Sequence, residues 1–170
     1  MKRGTYEVVW SSRSEALRIT MPNTYGIVVG RLLEVRISES IRTRADVDSW
    51  FDGVRAALTQ LPPGKRQVVV ADWRACSLMS DEAAERALFR LKQTNSNMDR
   101  SAALATTASP VAVLQFLRLC RSSDATGNRR LFTDPQELSQ WLGEVLTDAE
   151  GERLRTFLAD HRAVSATGTV

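Results

Sequence analysis

The chain has one histidine, two cysteines and no long apolar run among its 170 residues, and each of these shortages removes a class of function. The single histidine, His161, lies near the carboxy terminus. Serine-histidine and cysteine-histidine nucleophile pairs therefore lack a credible base. Cys76 and Cys120 stand far apart with no second Cys or His at ligand spacing, so a zinc or iron-sulfur site is not expected, and reduced, partly buried thiols are. The nine glycines are dispersed and form neither a Walker loop nor a dinucleotide fingerprint. Apolar runs such as Val68 to Ala71 fall far short of the roughly 20 residues that span a bilayer. The start, Met-Lys-Arg-Gly-Thr-Tyr-Glu, carries no apolar secretory segment, which leads to an expected cytoplasmic location. Charge is also nearly balanced: 23 Lys and Arg against 20 Asp and Glu leave +3, with the basic residues scattered, unlike a nucleic-acid footprint.

What is present fits a folded globular domain, with 43% hydrophobic and 25% charged residues. One domain is expected over residues 1–160, with 161–170 a disordered tail. Tyr6 to Trp10 and Ala16 to Met21 read as an amino-terminal hairpin within 6–21. The core then runs over about 26–146, opening with a strand-like stretch, Ile27 to Ile37, interrupted near Gly30. Thr43 with Asp46 resembles a capping box ahead of Val47, Trp50, Phe51, Val54 and Leu58 at helical spacing, and that helix is expected to reach about Leu61. Gln67 to Ala71 is a continuous apolar run suited to a strand covered on both faces.

Ser80 caps the next predicted helix, with Ala84, Leu88 and Leu91 turned inward, and the polar stretch Gln93 to Arg100 closes it. A strand over Ala102 to Thr107 follows. Ser109 and Pro110 then form a cap and first turn for a helix whose apolar face is Val113, Phe116, Leu117 and Cys120. Arg130 to Thr133 is a short strand, Asp134 and Pro135 open another helix, and Thr147 with Glu150 starts a carboxy-terminal helix over about 148–160. Strands alternating with helices argue for an α/β fold with parallel central strands.

Carboxylate pairs such as Asp46 with Asp48 and Asp81 with Glu82 suit first helical turns better than acid-base catalysis, because the helix dipole favours them there. Trp50 and Trp141 fall on apolar helix faces and Trp10 stands apart. Trp73 lies just past a strand end, where sites gather in open α/β sheets.

From Val35 onward the order of elements resembles the STAS domain, in particular the bacterial anti-sigma factor antagonists, over about two thirds of the chain. The string from Ala71 to Ala84 carries the likeness. Asp72 matches the strand-end acid, Leu78 and Met79 the apolar pair, and Ser80, Asp81, Glu82 and Ala83 occupy the positions of the family's Asp-Ser-Ser-Gly motif. Ser109 with Pro110, and the segment from Arg130 to Asp134, are similar as well. The resemblance implies a mixed sheet with parallel central strands and helices packed on it, here with an added amino-terminal hairpin and carboxy-terminal helix. It implies a non-catalytic regulatory module of bacterial signalling that binds an anti-sigma factor or other signalling protein through Ser80, Asp81, Glu82, Arg86 and Ser109, without cofactor or metal. Homodimerisation is compatible with it.

In the antagonists the second motif serine is phosphorylated, and the added charge disrupts the partner complex. Glu82 stands at that position, so this serine switch is expected to be absent. A second expectation is a binder of a lipid or other small apolar ligand on a related fold, distinguished by how the helix over Val111 to Cys120 packs on the sheet. A third, an enzyme, would need several of Asp72, Asp81, Glu82 and Arg86 to converge.

Overall fold

The computed structural model describes residues 23–37, 40–124 and 126–160. The expected hairpin over 6–21 and the tail from 161, with Trp10 and His161, lie outside them.

Five strands form one mixed sheet in chain order: β1 (Thr24–Ile27), β2 (Leu32–Arg36), β3 (Gln67–Asp72), β4 (Met98–Leu104) and β5 (Arg129–Phe132). β1 pairs antiparallel with β2, and every later pairing is parallel. The stretch read as one interrupted strand is thus a hairpin. It turns at Gly30, whose φ of 57° a residue with a Cβ adopts only at a cost.

α1 (Arg44–Leu58), α2 (Asp81–Gln93) and α3 (Pro110–Ser123) are the crossovers between successive parallel strands. The strand order always advances in one direction, so right-handed crossovers put all three helices on the same face of the sheet. Leu33, Val35, Ala71 and Ala103 point into that layer, where they meet Trp50, Phe51, Ala87 and Phe116. The alternate strand residues, Leu32, Val68, Val70, Ala102 and Leu104, face the other way. They are covered by α4 (Pro135–Gly143) and α5 (Asp148–Ala159) through Leu138, Leu142, Leu154 and Phe157.

The helix starts follow local chemistry. Thr43 and Asp46 form a reciprocal capping box on α1, and Thr147 and Glu150 form one on α5. The Asp134 side chain accepts the Gln136 amide at 2.7 Å at the start of α4.

Several boundaries and registers differ from the sequence expectation. α1 ends at Leu58, and Ala83, Ala87 and Leu91 are the most buried residues of α2, with Ala84 and Leu88 only partly covered. On α3 the buried stripe is Ala112, Phe116, Leu119 and Cys120. β4 begins at Met98 because the charges that made this stretch look like a loop are paired on the sheet: Asp99 binds Arg31 and Arg66, and Arg100 reaches Glu144.

Candidate functional site

The chain leaves β3 at Asp72, passes buried Trp73, Cys76 and Met79, and enters α2 at Asp81. Ser80 is the N-cap, as the sequence indicates: its Oγ accepts the Ala83 amide at 3.2 Å. The same hydroxyl donates to the carbonyl of Arg42, which fastens the start of α2 to the segment leading into α1. Asp81 is exposed in the first turn of α2.

Glu82 is exposed too, and it has a structural task that sequence spacing does not show. Its Oε1 accepts the backbone N–H of Arg44 at 3.2 Å and lies 3.8 Å from the Arg44 guanidinium. Arg44 opens α1, so Glu82 satisfies one of that helix's unpaired amides from the neighbouring helix. Arg86, one turn further along α2, donates from Nε and Nη2 to Asp48 Oδ1 at 3.0 and 2.8 Å, and stacks over Phe89 at 5.3 Å. These contacts set Ser80, Glu82 and Arg86 at the joint of α1 and α2, with Asp81 in the same first turn.

Ser109 occupies the N-cap position of α3, but its side chain makes no capping bond there. The carbonyl alone takes the Val113 amide, at 3.1 Å. α3 is tied to the entrance of α2 instead by Gln115, whose side-chain oxygen accepts the Met79 N–H and whose amide donates to the Met79 carbonyl, both at 2.9 Å. Around this joint Leu78, Val111 and Leu114 are 47%, 63% and 60% exposed, and Phe89 is 52% exposed on α2. Exposed apolar side chains on α2, on α3 and just ahead of α2 thus accompany the exposed carboxylates of Asp81, Glu82 and Glu85 on α2.

Asp72 does not join this group. It lies on the opposite face of the sheet, where Arg74 donates to it from Nε at 2.9 Å and Nη2 at 2.8 Å, and Arg36 stands at 3.5 Å. Burial alone would raise its pKa, but the hydrogen bonds and charge of Arg74 and the charge of Arg36 outweigh that and hold the carboxyl below its ordinary value. Arg74 also reaches the carbonyl of Leu158 in α5. Of the four residues Asp72, Asp81, Glu82 and Arg86, the structure therefore sets Asp72 apart from the other three.

Trp73 is buried. Its ring packs edge-on against Trp50 at 5.7 Å and Phe116 at 5.0 Å. The thiols of Cys76 and Cys120 are free and buried, and burial pushes them up to about 12 and about 11, where neither is a nucleophile at neutral pH. Among the described residues no three His, Cys, Asp or Glu side chains are grouped to hold a metal, and no helix is long and apolar enough to cross a membrane.

The fold and this surface define an α/β chain with an acidic and apolar face at the α1, α2 and α3 joint. Neither the models of known families nor the curated proteins provide a match to the sequence.

Proposed function

We propose that the chain is a STAS-like, non-catalytic regulatory module of bacterial signalling that binds a protein partner through the amino-terminal end of α2 and the adjoining face of α3. The observation that carries this reading is the exposure of Leu78 just ahead of Asp81 and Glu82, together with that of Val111 and Leu114 on α3, the helix that Gln115 ties to the entrance of α2. Exposed large apolar side chains accompanied by charge are a common form of protein contact. The partner's complementary surface presents apolar side chains flanked by Lys or Arg, such as an anti-sigma factor or comparable signalling protein could supply. Glu82 gives this surface a fixed charge where the related antagonists carry a phosphorylatable serine.

The test is capture of partners with the wild type, Glu82→Arg, Leu114→Asp and, as a control on α5, Glu152→Arg. A partner retained by the wild type and the α5 control but lost with both α2 and α3 variants supports the reading. Equal recovery by all four chains overturns it. Stability must be followed in parallel, because Glu82 also caps α1. Glu82→Ser and Glu82→Ala are expected to lower stability by about 0.5 to 1 kcal/mol, the range for an exposed cap, leaving the fold intact. A loss of several kcal/mol in urea unfolding would contradict this placement of the side chain.

A further inference from the structure

α2 and α3 lie on the same face of the sheet and run in the same direction, because each connects one parallel strand to the next. Their buried residues turn to the sheet, so the opposite stripes of both helices face outward. On α2 that stripe is Asp81, Glu85 and Phe89, at i, i+4 and i+8, with Lys92 in the last turn, and all are exposed. On α3 it is Val111, Leu114, Arg118 and Arg121, at i, i+3, i+7 and i+10, again all exposed.

The two stripes carry opposite charge. The first half of α2 holds the carboxylates of Asp81, Glu82 and Glu85, whereas α3 has no acidic residue and presents Arg118 and Arg121. Glu82 is engaged with Arg44, and on α1 Asp48 and Asp52 are paired with Arg86 and Arg55. Asp81, Glu85, Arg118 and Arg121 have no ion pair among the described residues. Their heights along the helices also agree. Gln115 binds the Met79 backbone through both of its amide atoms at 2.9 Å, which sets the entrance of α2 beside the middle of α3. Asp81 and, about 6 Å further along, Glu85 are thus level with the second half of α3, where Arg118 and Arg121 stand. Lys92, about 16 Å beyond Asp81, extends past the end of α3 at Ser123.

A two-fold axis running along this helix pair lays α2 of one copy over α3 of another at the same height, and α3 over α2 in return. Each pair of unpaired carboxylates then meets a pair of unpaired guanidiniums, and the exposed apolar side chains around them are withdrawn from water. We propose that two copies of this chain associate face to face through α2 and α3, with Asp81 and Glu85 of one copy against Arg118 and Arg121 of the other. Helices of 13 and 14 residues are about 20 Å long and together about 20 Å wide, a footprint of roughly 400 Å² per copy. That is below the ~800 Å² per partner of a standard complex, so the dimer is reversible and depends on concentration. The footprint overlaps the surface assigned above to a protein partner. As a consequence that rests on that reading, self-association withholds the docking surface until the chain is dilute or the partner competes.

Sedimentation velocity of the purified full chain over a concentration series tests this, together with charge-reversed chains. The wild type is expected to pass reversibly from monomer to dimer through the micromolar range. Asp81→Arg combined with Glu85→Arg sets like charges against each other at both ends of the interface and should weaken dimerisation at least tenfold, as should Arg118→Glu combined with Arg121→Glu. An equimolar mixture of the two variants restores opposite charges at every contact and should dimerise about as tightly as the wild type. All four positions are exposed, so both variants are expected to fold, which circular dichroism checks. A wild type that stays monomeric up to millimolar concentration would overturn the proposal and leave this face to another protein. So would a dimer unaffected by either reversal, or one that a mixture of folded variants does not restore. Partner capture without a dimer would overturn this inference alone, and a dimer without partner capture would overturn only the proposed function.

Discussion

Asp72→Ala is expected to lower the unfolding free energy by about 3 to 5 kcal/mol, the usual cost of removing one partner from a buried charge network. The carboxylate is 2% exposed and has two guanidinium partners. The alanine would leave Arg74 without its charged acceptor, and Arg36 with the exposed Asp160 carboxylate at 3.6 Å in place of a buried one. The ends of β2 and β3 are fastened to α5 through these arginines, because Arg36 donates to the Phe157 carbonyl at 3.0 Å and Arg74 to that of Leu158 at 3.4 Å. With a total stability of about 5 to 15 kcal/mol for a domain, such a loss would move the melting temperature by many degrees. Asp72→Asn keeps the volume and some hydrogen bonding and should cost less.

Acid adds a second readout. The folded pKa of Asp72 is below its ordinary value of 3.8, so its contribution is complete above the unfolded pKa and is lost as pH falls through the folded one. Urea unfolding of the wild type should therefore show a decline below about pH 4, and that decline should be shallower in Asp72→Asn. Equal stability of the wild type and Asp72→Ala at pH 7 would show that the arginines find water or other acceptors without loss.

Asp72 also illustrates what sequence can and cannot disclose. Its place at the end of β3 follows from the apolar run before it, whereas the face it points to depends on strand alternation and on the position of α4 and α5, far along the chain. Local signals were legible for the same reason in reverse. Capping at Thr43, Ser80, Asp134 and Thr147 is decided within three residues, and all four helices begin where those residues indicate. Ser109 had the same appearance and occupies the cap position, but its hydroxyl is not used. Glu82 could be placed at the exposed start of α2 from its register, yet its bond to Arg44 joins residues 38 positions apart.

Gly30→Ala is the other substitution expected to have a large effect, about 3 kcal/mol, from two sources that a double mutant can separate. An alanine at φ 57° costs about 1 to 2 kcal/mol because its Cβ crowds the backbone. The second source is specific to this fold: a Cβ on Gly30 would run into the carboxylate of Glu150 on α5. Glu150 is 2% exposed, accepts the Arg31 N–H at 2.7 Å, and closes the α5 capping box through the Thr147 N–H at 2.9 Å. Burial works against its ionisation, but these amides, the Thr147 hydroxyl and the charge of Arg31 hold its pKa below the ordinary 4.5. Displacing it would orphan amides on both the β1–β2 turn and α5, for about 1 to 3 kcal/mol more. Glu150→Ala orphans the same amides but makes room for the new methyl group. The double variant should therefore lose less than the sum of the two single ones, by about 1 kcal/mol or more. Gly30→Ala should also weaken the acid dependence that Glu150 confers, which is full above its unfolded pKa and fades as pH falls through the folded value. Strict additivity of the two substitutions in urea unfolding would show that the Gly30 backbone, and not its contact with Glu150, accounts for the whole loss.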